Sequence, residues 1–531
     1  MIINPDDVAV ATPDHRATHI GRSILERGGS ATDAVIAASA MLCVVYPHNV
    51  TIGGDTWTLV GTPEGEPVAV NGTGRAPVAL SAEFLHAQGF EAMPSTGPQS
   101  ITVPGLVAAW ADLHERFGRL PFAELIAPAR AAAREGVAVA RALGRDLVQH
   151  LEALRQDPGC AEILLRADGS VPQVGERLRQ PQLADTLDRI AADPMSLYTG
   201  DVGGQYAGGL AAAGSLITAA DLAGHRTEFV DPLSLSYRGL QVYTSPPNSQ
   251  GFTLLLILAL LEELELDDVG SPDQVAVSAV VADRSGRVRD EQLADPVAMD
   301  ADAVTLLGRS QLAELAAEIR AFRTSDAQPV AAGGPEQPKP YLGGDTIGIA
   351  ARDASGCWVS SVQSVAGTFG SRVLEPSTGI LAHNRGSGFS LDPRHPGYLV
   401  GGRRPPHTLM PCLVRRDGHD LGALATMGGH SQPIILAQVL NRILHGDHPQ
   451  DAVAAPRWVV QRADRPEALV LVDAEAPEAV RVALRAAGPV TEIAHQDNRM
   501  GHCHAIWQSP SGVLTGTDPR ADGLAPSEVR T

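Results

Sequence analysis

The chain has no surplus of positive charge. Its 531 residues hold 41 Lys and Arg against 61 Asp and Glu, a formal net charge of −20 with pI ≈ 5.2. Phosphate neutralisation needs the opposite balance, which excludes nucleic acid and anionic membrane surfaces as main partners. Apolar runs are short as well. The longest, residues 252–261, is too brief to span a bilayer. The start, Met1-Ile2-Ile3-Asn4-Pro5-Asp6-Asp7, has neither a basic nor an apolar leader region, so no secretory signal is expected. Cysteine is scarce: Cys43, Cys160, Cys357, Cys412 and Cys503 form an odd, scattered set without a CxxC spacing. That argues against a disulfide framework and against a thiolate metal site, and it suits reduced thiols in a cytoplasmic protein. His502 and His504 are spaced to share one strand face, but no carboxylate partner stands at ligand spacing. Gly53-Gly54-Asp55 lacks the lysine of a phosphate loop. No metal and no organic cofactor is therefore implied.

What is present is an ordinary globular composition, 44% hydrophobic and 19% charged, long enough for one large core or two to three average domains. Residues 17–45 read as two helical segments broken at Gly28-Gly29, with Ser30 or Thr32 placed to cap the second. Helical patterns also cover 105–136, with a break near Gly118 and Pro121, and 146–200, 252–265 and onward to about Phe322. Residues 57–60 and 240–244 read as strands. One convincing linker, 323–342, crowds Pro329, Gly333, Gly334, Pro335, Pro338 and Pro340 among polar residues. Beyond it the texture turns to strands: 346–363 around the turn Asp353-Ala354-Ser355-Gly356, then 421–427, 468–472 and 504–508, with a helix at 432–444. The expected class is α+β, a layered sandwich.

The linker runs into Gly343-Gly344-Asp345-Thr346. Cleavage before Thr346 would expose a residue carrying both a hydroxyl nucleophile and an amine base. The amine of a new N-terminus has a pKa of about 7.7–8.0, so a neutral fraction exists near pH 7. On spacing alone, a plain strand-opening threonine fits better, because Asp-Thr pairs are common. Gly428-Gly429, between a strand and a helix, can present free N–H groups to an oxyanion or simply make a tight turn. Ser364 ends the strand that pairs with that of Thr346, a place for a second hydroxyl or for an ordinary strand serine. Arg75, in a glycine-rich loop, can fork onto a substrate carboxylate or stay solvated. Asn384, Arg385, His407 and Thr408 lie in Gly/Pro-rich segments that line either a pocket or the surface.

Taken together, these residues resemble the γ-glutamyltransferase (γ-glutamyltranspeptidase, glutathione hydrolase) family of N-terminal-nucleophile hydrolases. Gly28-Gly29-Ser30-Ala31-Thr32-Asp33-Ala34 is similar to its GGNAVDA helix start, and Ile52-Gly53-Gly54-Asp55 to its GIGGG segment. Val103-Pro104-Gly105, Pro246-Pro247-Asn248-Ser249-Gln250-Gly251, Thr368-Phe369-Gly370-Ser371, Gly379-Ile380-Leu381 and Pro405 to Pro411 follow in the family's order. The resemblance spans nearly the whole chain. It implies an αββα sandwich built from two fragments of one precursor, 1–345 and 346–531, possible as a dimer of such pairs. It makes Thr346 the nucleophile, Ser364 its hydroxyl partner and Gly428 and Gly429 the oxyanion hole, with His407 and Thr408 in place of two pocket serines. The substrate is then a small amide or other acyl compound.

The departures bear on that substrate. The Thr-Thr-His opening of the family becomes Thr346-Ile347-Gly348 here. The residues that hold the γ-glutamyl ammonium fall on Ala366 and Gly388, and strict alignment puts Thr73 where the family has its carboxylate-binding arginine. A substrate ammonium without a partner costs binding severely, so glutathione is expected to be a poor substrate. The pattern resembles a divergent branch that includes oxamate amidohydrolase-like enzymes, and relatives cleave a C–C bond beside a keto acid. An oxalyl or α-oxo carboxylate gripped by Arg75, Arg385 or His407 fits that branch. A non-processing binding or scaffold protein is the alternative from another class, motivated by the altered opening motif.

Overall fold

The computed structural model describes residues 8–324, 345–461 and 469–523. The linker expected at 323–342 thus lies outside the described residues from 325 on, as do Gly343 and Gly344. Among the described residues, the architecture rests on two six-stranded sheets. Twelve strands build them: β1 Ala9–Ala11, β2 Asp55–Gly61, β3 Val68–Gly72, β4 Glu228–Val230, β5 Leu233–Tyr237, β6 Leu240–Thr244, β7 Asp345–Arg352, β8 Trp358–Ala366, β9 Cys412–Arg416, β10 His419–Thr426, β11 Cys503–Ser509 and β12 Gly512–Thr517. The first sheet runs β1-β7-β8-β2-β3-β4 and the second β12-β11-β10-β9-β6-β5. The paired strands within both sheets are antiparallel.

Side-chain alternation sorts these strands into layers. Along β7, Ile347, Ile349 and Ala351 join the core shared with the helices α1 His15–Glu26 and α2 Ala31–Val45. The intervening positions, Thr346, Gly348 and Ala350, face the other way. Ala350 packs with Trp57, Trp358, Val362, Leu413, Ala423, Ala425 and Ile506 in a core between the two sheets. A third core joins the second sheet to helices α3 Gly251–Glu263, α4 Val275–Gln292 and α5 Gln432–Leu444. Helix, sheet, sheet, helix is the αββα order expected.

Local rules account for the elements. Gly28 ends the first helical segment at φ 87°, a conformation open to glycine without a Cβ penalty. Ser30 then caps α2 reciprocally: its hydroxyl accepts from Asp33 N–H at 3.0 Å and the Asp33 carboxylate accepts from Ser30 N–H at 2.9 Å. Small residues let α2 bury all of its length. The expected division into helices before the linker and strands after it needs correction. Four strands of the first sheet and two of the second precede Asp345. Several are short or lie at sheet edges, where alternation is too brief to register in sequence.

Candidate active site

Antiparallel register assembles the site. Thr346 of β7 lies directly opposite Ser364 of β8, and Ser364 lies opposite Asp55 of β2. Directly opposed residues share a face, so all three side chains point between the sheets. Two glycines make this approach possible. A Cβ on Gly54 would come within 2.6 Å of Ser364 O, and one on Gly348 within 2.7 Å of the Ala425 backbone. Gly348, a departure from the family's opening motif, is thus a point of close approach between the two sheets beside Thr346. Ile347, the other departure, is fully buried toward the helices.

The Ser364 hydroxyl has three partners. Its single proton goes to the Asp345 carbonyl at 2.6 Å, while Thr346 Oγ1–H donates to Ser364 Oγ at 3.1 Å and Ala366 N–H donates at 2.7 Å. Ala366 reaches this position through a bulge after Ser364 and a left-handed φ of 78°. A donor therefore rests on the carbonyl of the bond joining Asp345 to Thr346, and the adjacent hydroxyl is oriented by the same oxygen. Thr346 and Ser364 are each 1% exposed, so water competes little for either hydroxyl.

Asp55 extends the site. Its Oδ1 accepts from the N–H groups of Gly105 at 3.1 Å and Gly74 at 3.3 Å. Its Oδ2 meets His407 Nε2 at 3.2 Å and His383 Nδ1 at 3.5 Å. Burial opposes its ionisation, yet His383, the His407 hydrogen bond and the Arg385 charge outweigh that and hold it below the usual carboxylate range. Burial, and then Arg385, push His407 down to about 3. His407 is thus a neutral ring donating through Nε2, with Nδ1 left to accept from Leu409 N–H at 3.5 Å.

Arg385 opens a short turn, Arg385–Gly388, whose entry is pinned by Asn384 N–H to Val365 O at 3.1 Å. The Asn384 side chain holds the same junction, accepting from Gly367 N–H at 2.8 Å and donating to Ser95 O at 2.6 Å. Arg385 is 7% exposed and donates through one terminal nitrogen to Thr408 Oγ1 at 3.2 Å. Its other terminal nitrogen is buried with no partner among the described residues. Burial pushes the guanidinium down to about 10, which leaves it charged at neutral pH. A buried guanidinium with a free fork position can accept an anion.

The Gly428-Gly429 turn follows β10 with φ of 143° and 54°. Among the described residues its two N–H groups have no hydrogen-bond acceptor. Gln250 ties this turn to the pocket by donating to Gly429 O and Thr408 O, each at 2.8 Å. A continuous set of contacts thus joins Thr346, Ser364, Asp55, His407, Thr408, Gln250 and Gly429.

The sequence pattern of the family described as Gamma-glutamyltranspeptidase matches residues 17–527. The chain belongs to the γ-glutamyltranspeptidase family. It is 36% identical to the oxamate amidohydrolase proenzyme of Klebsiella pneumoniae, with 98% of each chain covered. It is 37% identical to the glutathione hydrolase-like YwrD proenzyme of Bacillus subtilis, with 97% of each covered. Cephalosporin acylase from Bacillus halodurans superposes with a TM-score of 0.86 at 33% identity, covering 98% of this chain and 95% of that one. The chain is accordingly an N-terminal-nucleophile-type hydrolase or transferase, with activity of the γ-glutamyltranspeptidase, amidohydrolase or acylase kind. Among the described residues no helix is long and apolar enough to cross a membrane.

Some expected site residues are occupied elsewhere. Arg75 donates to Gly402 O at 3.2 Å and pairs with Glu228 at 3.4 Å and Asp295 at 3.6 Å, so its charge is already spent on carboxylates. Ala366 and Gly388 carry no group for an ammonium, and a Cβ on Gly388 would stand 3.0 Å from Pro406 O. His502 and His504 are buried, with no hydrogen-bond partner on either ring among the described residues. Sequence reasoning passed over Asp55, His383 and Gln250. The signal for Asp55 lay in its strand: it shares alternation with Trp57 and Leu59, whose apolar side chains mark the inter-sheet face.

Proposed function

We propose that the chain is an autoprocessed amidohydrolase, cut between Asp345 and Thr346 into fragments 1–345 and 346–531, and selective for acyl groups that carry a carboxylate. The carrying observation is the hydroxyl pair in which Ser364 donates to the Asp345 carbonyl and accepts from Thr346. In self-cleavage, Thr346 Oγ1 attacks that carbonyl and Ser364 supports the charge developing on its oxygen. The peptide C–N bond breaks, the nitrogen is protonated, and water hydrolyses the resulting ester. In the mature enzyme the freed Thr346 amine takes the hydroxyl proton during attack on substrate. Gly428 and Gly429 N–H groups bind the oxyanion, and water resolves the acyl-enzyme.

Arg385 is the anchor for the substrate carboxylate, with Thr408 and the neutral His407 beside it. Nothing at Ala366 or Gly388 offers an ammonium a partner, which disfavours γ-glutamyl compounds. The names of the relatives, an oxamate amidohydrolase and acylases among them, fit this reading. The test is twofold. A denaturing gel should show two fragments in wild type and one chain in Thr346→Ala. Turnover should favour oxamate-type monoamides over glutathione and over neutral N-acyl amides. A single uncut wild-type band, with no acyl burst from an activated oxalyl anilide, would favour the scaffold reading instead.

A further inference from the structure

Arg289 is a buried cation that the proposed mechanism does not use. It lies near the end of α4 and is 4% exposed. Two of its nitrogens meet the neighbouring Asp290: Nε donates to Oδ1 at 2.8 Å and Nη2 stands 2.6 Å from the same oxygen. Its third nitrogen reaches out of the helix. Nη1 donates to Gln250 Oε1 at 3.3 Å and to the carbonyl of His430 at 3.0 Å. Both acceptors adjoin the Gly428-Gly429 turn.

The Gln250 contact fixes which end of its amide faces the turn. Thr408 O and Gly429 O are carbonyls and can only accept, so the NH₂ end must face them, at 2.8 Å each. Oε1 then points the other way, fully buried, where Arg289 is its donor. The His430 contact acts through the backbone. A trans peptide is planar, with its C=O and N–H pointing in opposite directions. Holding His430 O therefore aims Ser431 N–H away from Arg289. That N–H donates to Gly428 O at 2.9 Å. Gly428 O in turn sets the direction of Gly429 N–H, the other end of its own peptide. Two rigid peptides and one hydrogen bond thus connect Arg289 to a donor that faces no acceptor among the described residues. Gly428 and Gly429, at φ 143° and 54°, have no side chains to hold this shape themselves.

We propose that Arg289 is a positioning residue for the oxyanion hole: from α4, through Gln250 and the His430 carbonyl, it holds the Gly428-Gly429 turn with its N–H groups presented to the substrate oxygen. The inference rests on the reading of that turn as the oxyanion hole of a Thr346 hydrolase. Arg289 touches no reacting atom. Self-cleavage develops its charge on a different oxygen, the Asp345 carbonyl, which Ser364 holds. Arg289 therefore serves substrate turnover and not the cut that precedes it.

That division supplies the test. Wild type, Arg289→Met and Arg289→Lys are compared in precursor cleavage on denaturing gels, in melting temperature, and in kcat and KM for an activated oxalyl anilide. Arg289→Met should lower kcat by about 10–100-fold, part of the cost of losing an oxyanion donor outright. KM should stay within about threefold, because the oxyanion exists only in the transition state. Cleavage should also stay within about threefold of wild type. Arg289→Lys keeps one donor without the fork, and its kcat should fall between the two, about three- to fivefold below wild type. Should Arg289→Met fail to fold, the lysine variant carries the same comparison. Wild-type kcat in either variant, a rise in KM alone, or cleavage and melting that fall in step with kcat would overturn the assignment. A wild-type chain that is neither cut nor able to turn over the anilide would instead remove the functional reading beneath it.

Discussion

Replacing Ser364 by alanine removes three interactions at once, and their separate consequences can be worked out. The hydroxyl gives its one proton to the Asp345 carbonyl at 2.6 Å. Loss of one donor from a developing oxyanion costs about 10²–10³ in rate, or about 2.7–4 kcal/mol of barrier. Thr346 Oγ1–H also loses its acceptor and is free to rotate away from the line of attack. The buried Ala366 N–H is left without a partner, which costs about 1–3 kcal/mol of stability. The expected result is a Ser364→Ala precursor that folds, melts lower than wild type and is cut at least about a hundredfold more slowly. Ser364→Thr keeps the hydroxyl and should restore most of the rate. The assay is a time course of precursor and fragments on denaturing gels, with melting recorded on the same samples. A Ser364→Ala chain cut within about threefold of the wild-type rate would refute the hydroxyl-relay reasoning, because less than 1 kcal/mol would then have been lost.

Arg385→Met should leave self-cleavage unchanged and raise KM for a carboxylate-bearing acyl substrate by about 10–150-fold, the worth of a charge-assisted hydrogen bond, while a neutral acyl amide changes little; equal losses for both substrates would remove Arg385 as the anchor. Gly348→Ala brings a Cβ to 2.7 Å from the Ala425 backbone, and forcing the sheets apart should cost about 1–3 kcal/mol, seen as a lower melting temperature and slowed cleavage; an unchanged melt would show that the sheets yield freely there. Acid should weaken the fold before carboxylates titrate. Burial holds His48, His225 and His504 at about 4 and His407 at about 3. The unfolded chain binds more protons than the folded one from about pH 6.5 down to those values, so stability falls on acidification, by about 2 kcal/mol for each histidine at pH 5. Burial raises Asp345, to about 7, and Asp420, and these two pull the other way against the four histidines. A melting temperature equal at pH 7 and pH 5 would contradict this.

Much of the site was legible because it is local. Thr346 and Ser364 sit on adjacent strands of one hairpin, so the turn at Asp353-Gly356 and simple counting place them opposite each other. Gly428-Gly429 was legible as a turn for the same reason. Asp55 was not, since its pairing with Ser364 joins segments more than 300 residues apart and no periodicity carries that register. Arg75 and Arg385 look alike in sequence, each in a glycine-rich loop. Only the packing separates them: Glu228 and Asp295 come to Arg75, while Arg385 is buried with one nitrogen unspent. Gln250 was visible within a proline-rich landmark, but its bond to Gly429 spans 179 residues.

One feature of the sheets governs what a cut at Asp345 can do. The strand that begins there is threaded between Ala9–Ala11 on one side and Trp358–Ala366 on the other, and the second sheet is likewise stitched from both sides of the cut. Scission therefore frees chain ends without freeing bodies. The two resulting pieces would be interlaced, unable to trade partners between molecules without unravelling both sheets, and would share one melting event. An affinity tag on either piece should carry the other through any wash that leaves the fold standing.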